Sequence, residues 1–192
     1  MIPEKRRHFW LVTFVTHNAR VSDRMREFKV RVRSCVVFDA NQQLQVAVLL
    51  TETWNRYGIC VLACNVLPDH VHAIIAAEDE QQLDIHVQKL KGYTSRALRA
   101  EQETIQGSGE SHIWQQKFNR RHLRDEHAFY SAQTYVLNNH LMHLERWGEE
   151  MLGMNAADKG LKPLAPATRS VREQIQATLA AAYFVFEEAS SP

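Results

Sequence analysis

Two histidines in the segment LPDHVHAII are the side chains best suited to chemistry. His70 and His72 are separated by one residue, so on a β-strand both imidazoles project from the same face. Two ring nitrogens placed in this way can bind one divalent metal ion. A histidine pair alone is more often an ordinary surface pair, and a metal site needs a further ligand from elsewhere, with water or a substrate phosphate filling the rest.

A tyrosine and an asparagine in a later helical segment can contribute to such a site. Tyr135 and Asn139 are four residues apart and therefore share one face of a helix. The amide oxygen of Asn139 can bind a metal, and a tyrosine hydroxyl can act as a covalent nucleophile when a metal assists it, because its pKa is about 10. The alternative is an ordinary half-buried tyrosine, and Tyr130, about 140° away around the helix, is a rival nucleophile.

The hydrophobic pattern indicates the elements that hold these residues. The predicted order is a strand (8–16), a loop with a short strand (30–38), a helix (43–57) ending at Gly58, strands (59–66 and 70–77) joined by a turn at Pro68–Asp69, a helix (79–99), an extended segment (112–123), and a helix from Asp125 to Trp147. This order predicts an α+β protein with a ferredoxin-like βαββαβ antiparallel sheet and helices on one face. His70 and His72 are expected on one side of their strand, with Val71, Ala73 and Ile75 facing the core.

Composition restricts the class of protein. The chain has 192 residues, of which 45% are hydrophobic, with a net charge of +1, which is typical of a globular domain. It contains no run of eighteen apolar residues, so we expect no membrane span. Cys35, Cys60 and Cys64 are odd in number and lie in apolar surroundings, which favours reduced thiols and a cytoplasmic location.

The positive charges are clustered although the total is nearly neutral. Basic residues concentrate in residues 1–40, 89–99 and 117–124, which is how a protein builds a local phosphate-binding face. The alternative is that these are solvated helix faces balanced by nearby acids. Trp114, Phe118 and Tyr93 lie among these cations and can stack on unpaired bases, with core packing as the alternative.

Four segments together resemble a known family. LPDHVHAII, QKLKGYTSRALR, IWQQKFNRRHLRDEHAF and TYVLNNHLMHLERW look like the REP-associated tyrosine transposases, single-tyrosine enzymes with an HUH motif (His, hydrophobic, His). The resemblance covers residues 8–147. It implies an HUH nuclease fold in which His70 and His72 bind a metal, Asn139 is a third ligand, and Tyr135 becomes joined to the 5′ phosphate of cleaved DNA.

The resemblance also implies the domain boundary, the activity and the partners. Residues 1–147 would form the catalytic domain. Beyond the resemblance, the Gly, Pro and small residues that follow predict that residues 148–192 are a linker with a C-terminal helix over 169–188. The activity would be that of a transposase and endonuclease dependent on Mg²⁺ or Mn²⁺, which cleaves and rejoins single-stranded DNA next to REP-like hairpins, as a monomer or homodimer associated with the nucleoid. The predicted DNA contacts are Arg6, Arg7, Lys89, Lys91, Arg96, Trp114, Lys117, Arg120, Arg121 and Arg124.

Two departures from the family and two alternatives remain. The family usually has Asn where this chain has Asp69, which we expect to alter the hairpin only mildly, and Pro where it has His140, which leaves the helix free to continue.

One alternative function is a hairpin-binding protein of the same fold that has lost cleavage. The other is a metal-storage protein that uses the histidine pair and has no preference for DNA.

Overall fold

The structure of the protein is a computed structural model that describes residues 7–17, 19, 36–105, 112–153 and 172–181. Its elements are β1 (His8–Val15), α1 (Ala40–Tyr57), β2 (Cys60–Val66), β3 (His70–Ala77), α2 (Glu80–Ile105), β4 (Asn119–Leu123) and α3 (Glu126–Gly153), followed by a helical segment, α4, at 172–181. No helix in the described ranges is long and apolar enough to cross a membrane.

The four strands form one antiparallel sheet in the order β2-β3-β1-β4. With α1 between the first two strands and α2 between the last two, this is the ferredoxin-like βαββαβ arrangement, so the predicted fold is confirmed. The predicted turn brings β2 and β3 together as a hairpin, which places His70 at the first position of an inner strand.

Helices cover both faces of the sheet near the histidine pair. Val71, Ala73 and Ile75 face α1 and α2 in the main core, as predicted. On the opposite face Ile74 packs with Ala132 and Val136 of α3. All residues of β3 are therefore buried, including both histidines, because α3 lies over the face that the alternation leaves polar.

Several boundaries differ from the sequence prediction. Helix α1 begins three residues earlier because Asp39 and Gln42 form a capping box, and it ends as predicted at Gly58, whose φ of 60° favours glycine. Within the predicted extended segment only Asn119–Leu123 is a strand, apart from an isolated bridge between Thr16 and Trp114. Helix α3 continues through His140, as the missing proline predicts.

The predictions for the remaining segments are covered only in part. Residues 36–39 are not a strand, and the rest of the predicted strand at 30–38 lies outside the described residues, as does Cys35. Residues 148–153 of the predicted linker extend α3, and 172–181 of the predicted C-terminal helix are helical. Cys60 and Cys64 are free thiols, and burial raises the pKa of Cys64 to about 12.

Candidate active site

The two histidines face each other at the start of β3. The Nε2 atoms of His70 and His72 are 3.1 Å apart, and their side chains are only 3% and 4% exposed. Nitrogen ligands lie about 2.1 Å from a divalent ion, so two nitrogens at this separation can both reach one ion at close to a right angle. The pair therefore has the geometry of two adjacent metal ligands.

The outer ring nitrogens of both histidines have hydrogen-bond partners that suit this geometry. The Nδ1 atom of His70 lies 2.5 Å from a carboxylate oxygen of Asp69, and an ionised carboxylate can only accept. His70 must then carry its proton on Nδ1, which leaves the lone pair on Nε2. The Nδ1 atom of His72 lies 2.8 Å from the hydroxyl of Thr13, whose oxygen can accept a hydrogen bond from Nδ1 in the same way.

Strand register explains why Thr13 lies beside His72. Thr13 of β1 is directly opposite His72, Asn65 of β2 is opposite it on the other side, and Asn119 of β4 is opposite Thr13. Directly opposed residues share a face of the sheet, so these four polar residues form one row across all four strands. The residue that departs from the family, Asp69, lies directly against His70.

Tyr135 reaches the same point from α3. Its hydroxyl lies 3.4 Å from Nε2 of His72, and the two rings are 5.1 Å apart at a steep angle. Tyr135 is 45% exposed, so its hydroxyl is open to solvent on one side and close to the histidines on the other. Tyr130 is 60% exposed and its ring contacts Phe129, on a different side of the helix.

Asn139 lies one helical turn beyond Tyr135 on the stripe of α3 that faces the sheet. It is 2% exposed, and its Nδ2 atom has no hydrogen-bond partner among the residues that the structure describes. A buried, unsatisfied amide is costly and calls for an explanation. The unpartnered atom is the donor nitrogen, whereas a metal would bind the Oδ1 oxygen, so the orphaned amide is not itself a sign of an ion. The residues present fit a metal through the two facing imidazoles. Within the described ranges, no group of three or more His, Cys, Asp or Glu side chains is arranged so that it could hold a metal ion by itself.

An open cleft beside this site is lined by two of the predicted DNA contacts, Arg120 and Arg121. It has a volume of about 350 Å³ and is lined by Leu11, Thr13, His72, Asn119, Arg120, Arg121 and Tyr135. Arg121 is exposed and is paired with Leu11, which packs against the α3 face of the sheet. Its guanidinium therefore belongs to the same face as the histidines. Lys117 and Arg124 are exposed at the two ends of β4.

Three of the predicted DNA contacts have structural roles instead. The ammonium of Lys91 donates to the carbonyls of Gln115 and Gln116 at 2.5 and 2.8 Å, and burial lowers the pKa of Lys91. Trp114 is 5% exposed, and its indole nitrogen donates to the buried hydroxyl of Thr94 at 2.8 Å. Base stacking by Trp114 does not fit this position in the core.

Arg120 is the third of these residues. It alternates with Arg121 along β4 and so points to the opposite face, where it forms salt bridges with Glu80 and Asp84 of α2. Because these carboxylates neutralise its charge, Arg120 is less suited to phosphate than Arg121.

The other predicted DNA contacts that belong to the described residues lie away from the histidines. Lys89 and Arg96 are on α2, behind the sheet, where Lys89 lies over the ring of Tyr57 at 4.8 Å. Arg7 precedes β1, six residues before Thr13 and thus about 20 Å along the strand. Arg6 lies outside the described residues.

Thr13 and Asn119 are site residues that sequence reasoning missed. Neither belongs to a motif, and both join the site only through pairing between β1, β3 and β4. The available signal was that a threonine in β1 and an asparagine at the start of β4 are polar residues in strands of a half-buried sheet.

One family model and two solved structures are similar to this chain. A family model described as IS200-like transposase matches residues 28–139, more than half of the chain. A solved REP-associated tyrosine transposase bound to a REP hairpin is 20% identical, with a TM-score of 0.47, over 71% of this chain and 68% of that one. A Deinococcus radiodurans R1 protein assigned as a transposase is 17% identical, with a TM-score of 0.44, over 72% and 95%. No curated protein matches the chain.

Proposed function

This chain belongs to the IS200-like transposases, and on that premise we propose that it is a metal-dependent nuclease and strand transferase that acts on single-stranded DNA through Tyr135. The observation that carries this proposal is the convergence of the Tyr135 hydroxyl on the facing Nε2 atoms of His70 and His72. In the structure all three groups belong to the same chain.

Tyr135 acts as the nucleophile. Its phenol oxygen forms a bond to the scissile phosphorus, the bond from phosphorus to the 3′ oxygen breaks, the phenol loses its proton and the leaving oxygen gains one. The products are a 5′-phosphotyrosine on the protein and a free 3′ hydroxyl on the DNA. Because one phosphoester replaces another, a later 3′ hydroxyl can reverse the step and join two strands.

The histidines provide the site for a divalent cation. His70 and His72 would hold Mg²⁺ or Mn²⁺ through Nε2, and the resemblance adds the amide oxygen of Asn139 as the third protein ligand. When bound, such an ion neutralises charge on the phosphate and favours the ionised phenol. Asp69 and Thr13 keep the Nδ1 protons turned outward, so that both Nε2 lone pairs point to a common position.

The substrate proposed is single-stranded DNA beside a hairpin, a choice that follows from the resemblance to REP-associated tyrosine transposases. The cleft between β4 and α3 is open to a single DNA strand. Positive charge along β4 is supplied by Arg121, Lys117 and Arg124. Asn119 offers an amide for a base edge or a phosphate at the cleft.

A covalent adduct tests the proposal. The protein is incubated with Mn²⁺ and a pool of single-stranded hairpin oligonucleotides that carry a label at either the 3′ or the 5′ end. On a denaturing gel, the 3′ label should migrate with the protein and the 5′ label should appear in shortened free DNA. No adduct with any hairpin, with Mn²⁺ or Mg²⁺, would contradict the proposal.

Removing the Asp69 carboxylate should weaken metal binding. We expect Asp69→Ala to lower the affinity for Mn²⁺ about 10- to 100-fold, because the proton of His70 is then no longer held on Nδ1. Asp69→Asn is the matched control. Its amide oxygen can still accept the hydrogen bond from Nδ1 of His70, so the loss of Mn²⁺ affinity should be smaller. Electron paramagnetic resonance of free Mn²⁺ measures both, and equal affinity for all three proteins would rule out this role of Asp69.

Removing the Arg121 charge should weaken DNA binding more than removing a charge from α2. Arg121→Ala should reduce hairpin affinity several-fold and lower the slope of log affinity against log salt by about 0.7 to 0.9, the value of one phosphate contact. Arg96→Ala makes the same charge change behind the sheet and should have little effect. Fluorescence anisotropy over a salt series measures both variants, and a larger loss in Arg96→Ala would place the DNA on the helical face instead.

A further inference from the structure

Asn65 is a buried polar residue next to the site that the proposed chemistry does not use. It lies on β2, is 2% exposed, and is directly opposite His72 across the β2–β3 pairing. Its side chain therefore lies on the α3 face of the sheet, beside the histidine that contacts Tyr135. A buried amide in a strand is costly unless both of its ends are satisfied.

Both ends of the Asn65 amide have partners, and each partner belongs to a different helix. The Nδ2 atom donates to the main-chain carbonyl of Val136 at 2.8 Å, and the Oδ1 atom accepts from Nε2 of Gln176 at 3.3 Å. Gln176 belongs to α4, which is anchored in the main core by Ile175 and Leu179. The donor from α4 fixes which end of the amide faces α3.

The bond to Val136 adds to the hydrogen bonding of α3 and is not required for the helix to form. Inside an α-helix the Val136 carbonyl already accepts from the amide four residues on, and a carbonyl oxygen has a second lone pair. The effect of Asn65 is therefore on where the helix sits. Ala132 and Val136 press α3 onto the sheet, but apolar contacts have no direction, whereas a hydrogen bond fixes a particular atom.

We infer that Asn65 is a positioning residue that sets the distance between the Tyr135 hydroxyl and the histidine pair. Val136 follows Tyr135 in the helix, and His72 is opposite Asn65 in the sheet. The hydrogen bond from Asn65 to Val136 therefore links the helix that carries Tyr135 to the strand pair that carries His72. This inference rests on the proposed function for its effect on cleavage, although the position itself can be measured without it. A displacement of about 1 Å at a reacting group can cost on the order of 100-fold in rate.

The test compares Asn65→Leu with a matched control. Gln43 is also a buried amide whose side chain donates to a main-chain carbonyl, that of Phe38 at 3.1 Å, but it lies on α1, on the opposite face of the sheet. Gln43→Leu therefore removes a similar bond away from the site. The full chain is labelled with 3-fluorotyrosine, and the Tyr135 signal among the five tyrosines is assigned by its absence in Tyr135→Phe.

We expect Asn65→Leu to shift the fluorine signal of residue 135 and to slow single-turnover adduct formation about 10- to 100-fold, with hairpin affinity within twofold of the parent chain. Gln43→Leu should change neither. Should Asn65→Leu fail to fold, Asn65→Ala and Gln176→Ala are expected to change both readouts in the same direction, Gln176→Ala by less.

The outcomes separate the inference from the function on which it rests. An unchanged fluorine signal and adduct rate in the Asn65 variants would overturn the inference, as would equal changes in Gln43→Leu. If the parent chain forms no adduct, the proposed function fails, and the fluorine signal alone still decides whether Asn65 positions Tyr135.

Discussion

Tyr135→Phe should abolish formation of the covalent protein–DNA adduct while hairpin binding stays within about twofold of the parent chain. The substitution removes one oxygen atom, the nucleophile, and leaves the ring that packs against His72 in place. Loss of a nucleophile lowers the catalysed rate by about 10⁴-fold or more, because the remaining groups cannot replace it. Denaturing gels with 3′-labelled DNA measure the adduct, and fluorescence anisotropy measures binding.

The control for this experiment is on the same helix. Tyr130→Phe makes the same chemical change at a residue that is 60% exposed and contacts Phe129, and it should leave the adduct rate unchanged. If Tyr130→Phe instead eliminated the adduct and Tyr135→Phe did not, the nucleophile would be assigned wrongly. If the parent chain and both variants all bound hairpins but none of them formed an adduct, the cleavage-deficient alternative would be correct.

Local patterns were sufficient to predict the parts of the site that lie within one element. The one-residue spacing of His70 and His72 on a strand and the four-residue spacing of Tyr135 and Asn139 on a helix each define a shared face. The polar face of β3 also predicts that the histidines lie away from Val71. The order of elements then predicts the sheet, because βαββαβ with short connections has few antiparallel solutions.

Contacts between elements could not be predicted in the same way. Strand register places Thr13 opposite His72 and Asn119 opposite Thr13, and a shift of one residue would turn both to the other face. Lys91 and Trp114 lie among cations and aromatics in the sequence, a composition that suits DNA as well as a core. The role of Lys91 depends on the carbonyl of Gln115, 24 residues away in the sequence, and that of Trp114 on the hydroxyl of Thr94, 20 residues away.

The second large effect is expected from loss of either histidine. His70→Ala and His72→Ala should each slow adduct formation about 100- to 1,000-fold and remove high-affinity Mn²⁺ binding, because only one imidazole of the facing pair is left. Removing a ring that packs in the sheet also costs stability, so the control is His122→Ala, which removes a half-buried ring packed on Trp10 and leaves the site intact.

Mn²⁺ titration and adduct formation together distinguish the remaining possibilities for this histidine pair. If both histidine variants kept full Mn²⁺ affinity, the ion would bind elsewhere and the facing Nε2 atoms would have another use. If Mn²⁺ affinity fell but the parent chain bound the metal without any hairpin-dependent adduct, the metal-storage alternative would gain support. The nuclease requires both losses to occur together, because the same two nitrogen atoms bind the cation and lie beside the Tyr135 hydroxyl.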